Sequence, residues 1–192
     1  MSVNLHRVLA VLTISAAAVA ASIQPISASS LRSETSSLCL DAAQHAAAKT
    51  GVPLDVLRSI SLSETGRTKD GTFDPWPWTV NMEGVGKWFD SYEQAQAYVD
   101  RHYQDGARSF DVGCFQINYR WHGDAFASVR QMFDPRMNAL YAARFLQELH
   151  GEFGNWSQAA GAYHSRTPKL AKKFAARFDR IRARLQPLSL IH

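Results

Sequence analysis

Pro53-Leu54-Asp55-Val56-Leu57-Arg58-Ser59-Ile60-Ser61-Leu62-Ser63-Glu64-Thr65-Gly66 is the stretch that decides how this chain is read. Pro53, Leu57, Ile60 and Glu64 stand four, three and four residues apart, the spacing of one helical face, so an apolar stripe ends in a carboxylate aimed at the interior. Thr65-Gly66 stops the helix there. Both desolvation and the negative end of the helix dipole then raise the pKa of Glu64. A carboxyl group kept protonated near neutral pH is what a general acid for glycoside cleavage requires. Ser61-Leu62-Ser63-Glu64 also has the form of a capping box, but a box precedes an apolar helical run. Here Arg67-Thr68-Lys69-Asp70-Gly71 follows.

Working outward, a helix over Leu38–Thr50 stops at Gly51, and Pro53 suits the first turn of the helix that ends at Glu64. Residues 67–74 have loop composition. The segment Trp76 to Phe89 reads as a β-hairpin around Gly84-Val85-Gly86, Ser91 caps a helix from Tyr92 to about Gln104, and Ser109 to Asn118 returns as an extended piece. Asp134-Pro135 opens a helix carrying Met137, Leu140, Tyr141, Phe145 and Leu149, which runs to Gly151 and Gly154. A short helix over Ser157–His164 and a last one opened by Pro168 complete the pattern. The expected class is α+β, mainly helical, as one domain over residues 38–186 with a small sheet.

The ends read differently. His6 and Arg7 precede an apolar run, Val8 to Ala21, and small-x-small sites follow at Ala18-Val19-Ala20 and Ile26-Ser27-Ala28. Residues 1–28 therefore read as a secretory signal peptide, about 14 apolar residues being too few to span a membrane. Residues 29–37 read as a mobile leader and 187–192 as a tail. Export to the periplasm makes a disulfide between the two cysteines, Cys39 and Cys114, the expected pairing, with two unrelated buried thiols as the alternative.

The chain has 192 residues, 46% of them hydrophobic, and a formal net charge of +4. Much of the positive excess is local: Arg166 to Arg184 holds eight basic residues against Asp179 alone. On a helix with its own apolar stripe these are a solvated face, or a surface for an anionic polymer, an acidic partner or a membrane. No nucleic-acid-binding motif accompanies them. No His-Glu-x-x-His, Cys-x-x-Cys, Gly-x-Ser-x-Gly or phosphate-binding glycine loop is present, so neither metal nor cofactor is expected.

Three separated segments together resemble the lytic transglycosylases with the SLT domain, lysozyme-like enzymes acting on peptidoglycan. Leu62-Ser63-Glu64-Thr65-Gly66 is similar to the segment carrying the family's catalytic Glu. Gly113-Cys114-Phe115-Gln116-Ile117-Asn118 resembles its Gly-x-x-Gln-[aliphatic] motif. Pro135 through Asn138, Leu146 and Phe153 to Ala162-Tyr163 resembles its Asn-containing helix and Ala-Tyr-Asn-x-Gly segment. The resemblance covers about residues 38–183. Thr65 stands where Ser is usual, His164 where Asn is expected and Arg166 where Gly is expected, and residues 67–111 form a long insertion.

The resemblance implies a lysozyme-like domain that cleaves the bond between N-acetylmuramic acid and N-acetylglucosamine with one carboxylate, Glu64, giving a 1,6-anhydro product. It places Gln116 in the groove as a hydrogen-bonding amide, with Thr65, Asn118 and His164 as neighbours. Tyr163 is expected to orient Glu64 through its hydroxyl. Trp76, Trp78 and Trp88 are candidates to stack on sugar faces, Trp78 among the site residues, and Asn81 is a further ligand candidate. A hydrolase on the same bond would draw a second carboxylate from Glu83 or Asp111, both of which read as solvated turn residues. A third reading is a non-catalytic docking protein on the same fold. By analogy with small enzymes of this type, a flagellar or secretion machine is the implied protein partner.

Overall fold

The helix that ends in Glu64 is the piece around which the fold assembles. In the computed structural model, which describes residues 28–69 and 71–185, α1 runs Ala28–Thr50 and α2 runs Leu54–Thr65. Leu57 and Ile60 are fully buried and Glu64 partly so, as the stripe requires. The helix expected to start at Leu38 starts at Ala28, so residues 29–37, read as a leader, are helical. No Gly or Pro lies between Pro25 and Gly51 to stop a helix once Cys39, Ala42, Ala43 and Ala46 dock its C-terminal half in the core. The proposed signal peptide up to Ser27 and the tail 187–192 lie outside the described residues.

Past Gly66 the chain turns extended. Residues expected as loop pair as a two-stranded antiparallel ribbon, β1 (Arg67–Lys69) with β2 (Thr72–Asp74), Arg67 opposite Asp74. A second, four-stranded antiparallel sheet has the order β4-β3-β5-β6, from β3 (Thr79–Met82), β4 (Val85–Trp88), β5 (Phe110–Val112) and β6 (Ile117–Asn118). β3 and β4 are the expected hairpin. Its alternation separates two faces. Val80, Met82, Phe110, Val112 and Ile117 are buried in the core. Asn81, Asp111 and Asn118 sit in register across three strands on the other face.

The remaining helices are α3 (Tyr92–Gln104), α4 (Tyr119–His122), α5 (Val129–Phe133), α6 (Pro135–Phe153), α7 (Trp156–His164) and α8 (Pro168–Leu185). Their starts follow local chemistry. The Ser91 hydroxyl accepts from Gln94 N–H, the Asp134 carboxylate from Met137 N–H and the Asn155 amide oxygen from Gln158 N–H. Helix α6 continues through Gly151 and stops at Gly154. The short helices α4 and α5 give no readable period in the sequence.

Helix α1 packs on α6, and α8 packs on both α7 and α2. Phe174 and Phe178 of α8 are buried, and Arg182 Nε donates to Asp55 Oδ2 at 2.7 Å. This clamp brings the C-terminal ends of α2 and α7, with Glu64 and His164, to one place. No helix among the described residues is long and apolar enough to cross a membrane.

Candidate active site

The turn between β5 and β6 is built before anything can be bound in front of it. Gly113 has φ 83°, and a Cβ there would meet Asn138 Nδ2 at 2.7 Å, so this position takes only glycine. Asn138, fully buried on α6, accepts from Phe115 N–H at 2.9 Å and donates to Val112 O at 3.0 Å and Met132 O at 2.9 Å. Cys114 between them is disulfide-bonded to Cys39 with a Cα–Cα distance of 5.5 Å, tying the turn to α1. Its carbonyl accepts from the Ser61 hydroxyl of α2 at 3.0 Å. The Cys39–Cys114 pairing is the one expected.

So held, Gln116 takes φ 49°, a left-handed conformation that a non-glycine residue keeps only where its surroundings impose it. Its amide nitrogen donates to Thr79 O and Gly113 O, both at 3.0 Å, which fixes the amide's orientation and leaves the oxygen as the group it offers. Gln116 thus both braces the sheet and lines a cleft of about 440 Å³. The cleft brings together Glu64, Gln116, Asn118, Tyr163, His164 and Asn81, six of the residues singled out in the sequence.

Glu64 lies in this cleft with 12% of its side chain exposed, and His164 Nδ1 stands 3.5 Å from its Oε1. Burial raises the Glu64 pKa; His164 opposes the rise and Asp111 adds to it. The hydrogen bond to Glu64 raises the His164 pKa against partial burial. Both shifts mean that the pair holds a proton tightly. The imidazole is itself held by stacking on Phe174 at 4.5 Å between centroids and 9° between planes.

Tyr163 is in the cleft, but its hydroxyl donates to Phe115 O at 2.6 Å and braces the turn rather than Glu64. Burial and the neighbouring carboxylates push this phenol well above its usual pKa. The side chain that touches the Glu64 carboxyl is His164. Asp111, read as a solvated turn residue, lines the cleft on β5. Asn118 Nδ2 donates to its Oδ1 at 2.7 Å and Asn81 Nδ2 to its Oδ2 at 2.9 Å, while burial raises its pKa.

Two expected neighbours lie elsewhere. Thr65 is fully buried, its hydroxyl donating to Ser61 O at 3.0 Å and accepting from Trp76 N–H at 3.1 Å, so it holds the α2 terminus and does not line the cleft. Trp78 packs edge-on against Tyr92 at 5.6 Å, away from the cleft, because it alternates with Thr79 and Asn81 and so shares the face of Val80 and Met82. Trp76 is buried and donates to Phe89 O at 2.6 Å. Trp88 is the hairpin indole at the cleft, 44% exposed, with Nε1 donating to Thr65 O at 2.9 Å. Arg166 lies outside the cleft in a bidentate pair with Glu152.

The sequence reading missed Trp121 and His122 of α4, both lining the cleft. Trp121 is 71% exposed, and His122 Nδ1 shares a hydrogen with Tyr141 Oη at 2.8 Å. Their one signal is position, three and four residues past Asn118 of the Gln116-Ile117-Asn118 motif. Among the described residues no His, Cys, Asp and Glu side chains gather as a metal site. The cleft therefore offers an acid with its proton partner, amide acceptors and two indoles, a set suited to a neutral polyhydroxylated chain.

The family described as Transglycosylase SLT domain matches residues 91–185. The likeness to an SLT domain covers 95 of the 192 residues. The SLT match includes the Gly113–Asn118 turn, Asn138, Tyr163 and His164, whereas Glu64 precedes it. At the family level the SLT domain is lysozyme-like, of the lytic transglycosylase type, and acts on peptidoglycan. No curated protein and no solved structure matches the chain significantly.

Proposed function

We propose that this protein is an exported, periplasmic lytic transglycosylase in which Glu64 alone serves as acid and then base at the bond between N-acetylmuramic acid and N-acetylglucosamine. The observation that carries the reading is the placement of a partly buried, pKa-raised Glu64 at the cleft with His164 Nδ1 at 3.5 Å. Glu64 gives its proton to the glycosidic oxygen as the bond from C1 breaks. The resulting carboxylate takes the proton of the muramyl C6 hydroxyl as that oxygen bonds to C1. The ring closes as a 1,6-anhydro sugar, no water is consumed and Glu64 ends protonated as it began.

Gln116 Oε1 is available to accept from a sugar hydroxyl or N-acetyl N–H, and Trp88 and Trp121 offer apolar indole faces to the C–H surface of a pyranose. The apolar N-terminal run and the Cys39–Cys114 disulfide support export. A flagellar or secretion machine as partner rests on analogy.

A hydrolase reading is favoured by one observation, the presence of Asp111 as a second carboxylate in the same cleft. Both of its oxygens are engaged by Asn81 and Asn118, which suits a fixed wall group better than a base for water. Mass analysis of sugars released from purified peptidoglycan tests the two. Anhydro-muramyl ends are expected; only hydrated, reducing ends would overturn the transglycosylase reading.

A further inference from the structure

Trp121 lines the cleft from a segment that burial does not hold. Helix α4 has four residues, and neither it nor the 3₁₀ turn Gly123–Ala125 that follows contains a buried residue. Asn118, at its N-cap, donates its side-chain amide to Asp111 and makes no capping hydrogen bond. The indole itself is 71% exposed. A helix this short has no stability of its own, so Trp121 is fixed by the side chains on either side of it.

Two attachments are present. On the N-terminal side the Tyr119 ring stacks on Phe110, 4.8 Å between centroids and 5° between planes, and its hydroxyl meets that of Tyr103 at 3.2 Å. On the C-terminal side His122 Nδ1 meets Tyr141 Oη at 2.8 Å, and the imidazole lies against Tyr141 and Phe145 at 5.4 Å and 5.0 Å between centroids. Burial holds the Tyr141 pKa above its ordinary value and that of His122 below, so near neutral pH the phenol keeps its proton and the imidazole a lone pair. The phenol therefore donates to Nδ1.

The anchor is α6. Asn138, Tyr141 and Phe145 stand at i, i+3 and i+7, one face of a helix whose Ala142, Ala143 and Leu146 are buried in the core. Asn138 holds the turn that carries Gln116, and Tyr141, three residues on, holds the helix that carries Trp121. We propose that Tyr141 is a positioning residue: acting through His122, it fixes α4 so that the Trp121 indole is presented to whatever chain lies in the cleft. The effect on substrate rests on the reading of the cleft as a glycan site, whereas the latch is a property of the free protein. With α4 loosened, binding has to order the indole, and that cost falls on affinity and not on the step at Glu64.

The test uses Tyr141→Phe in the full chain, which removes one hydroxyl and keeps the ring against His122. In the free protein, amide hydrogen exchange should speed up on the order of fivefold at Gly123 and Phe126, whose N–H groups bond Tyr119 O and Gly123 O. Exchange at Phe115, whose N–H Asn138 holds, should not change. On peptidoglycan KM should rise on the order of fivefold with kcat within about twofold of the parent. In the Trp121→Ala background the same change should leave KM where Trp121→Ala alone puts it, because the hydroxyl acts through the indole. A merely structural role gives faster exchange at all three amides and a KM effect that adds in the double variant. That result would overturn the inference, as would unchanged exchange at Gly123 and Phe126, or faster exchange there with an unmoved KM. If the parent releases no sugars from peptidoglycan the transglycosylase reading falls, while the exchange comparison still decides whether Tyr141 holds α4.

Discussion

The imidazole of His164 lies 3.5 Å from the carboxyl of Glu64 and is stacked on Phe174, so the acid of the cleft has one fixed partner for its proton. Glu64→Gln keeps the shape and removes the acid. Turnover on peptidoglycan should fall on the order of 10²–10⁴-fold. Because the folded-state pKa of Glu64 is raised, the native protein loses stability as pH rises from the ordinary carboxyl value through that raised value. The glutamine variant escapes this loss, so its melting temperature should gain on the parent as pH rises from the ordinary carboxyl value, the gain levelling off above the raised one. A variant that is inactive because it melts earlier at pH 8 would refute this account.

His164 lowers the pKa of Glu64 below what burial alone would give. His164→Asn should therefore move the basic limb of the pH profile of kcat/KM to higher pH. Stability moves in a definite sense as well. The raised pKa of His164 contributes stability that is present below its unfolded value and lost as pH rises through the folded one. The deficit of His164→Asn should be present below the ordinary imidazole value and shrink as pH rises through the raised one. A basic limb that does not move would show that the imidazole has no hold on the acid.

Asn138 satisfies Phe115 N–H, Val112 O and Met132 O from a position with no solvent exposure. Asn138→Ala leaves these three groups without their partner in the core and should cost about 3 kcal/mol or more, read as a shift in the denaturant midpoint. The loss should be accompanied by weaker substrate binding, because the same bonds hold Gln116 in its left-handed conformation. Retained stability would mean that the turn is held by the disulfide alone.

What the sequence made legible follows from range. Glu64 could be read because a single periodic stripe ends in it, and Gln116 because its turn is a local motif. Asp111 could not be read: it sits on a three-residue strand, too short to show alternation, and its partner Asn81 is 30 residues away. His164 meets Glu64 only because α8 clamps α2 and α7 together, a tertiary relation that no local pattern encodes. Trp78 and Trp88 have equal standing as aromatic residues of one hairpin. Trp88 stands opposite Thr79 and shares its cleft face, whereas Trp78, one residue before Thr79, falls on the other.

Asp111→Asn removes the charge and keeps one acceptor, so that one of Asn81 and Asn118 turns its own amide oxygen to the new NH2. If Glu64 acts alone, the anhydro products persist, with a rate change limited to the small downward shift in the Glu64 pKa, since Asp111 is one of the groups raising it. If a hydrolytic water needs Asp111, release of reducing ends should collapse by 10²-fold or more. Product mass spectra from parent and variant decide between the two.

Trp121 is 71% exposed at the cleft, so folding has no use for its indole. Trp121→Ala should leave stability within about 0.5 kcal/mol of the parent. On glycan it should raise KM with kcat unchanged, at a cost on the order of 1 kcal/mol, if the indole holds a sugar ring equally in ground and transition states. Trp88→Ala differs, because its Nε1 also ties the hairpin to Thr65 O at the end of α2. That variant should lose both affinity and some thermal stability. A Trp121→Ala enzyme with unchanged KM would remove this indole from the binding surface and leave Trp88 as the sugar platform.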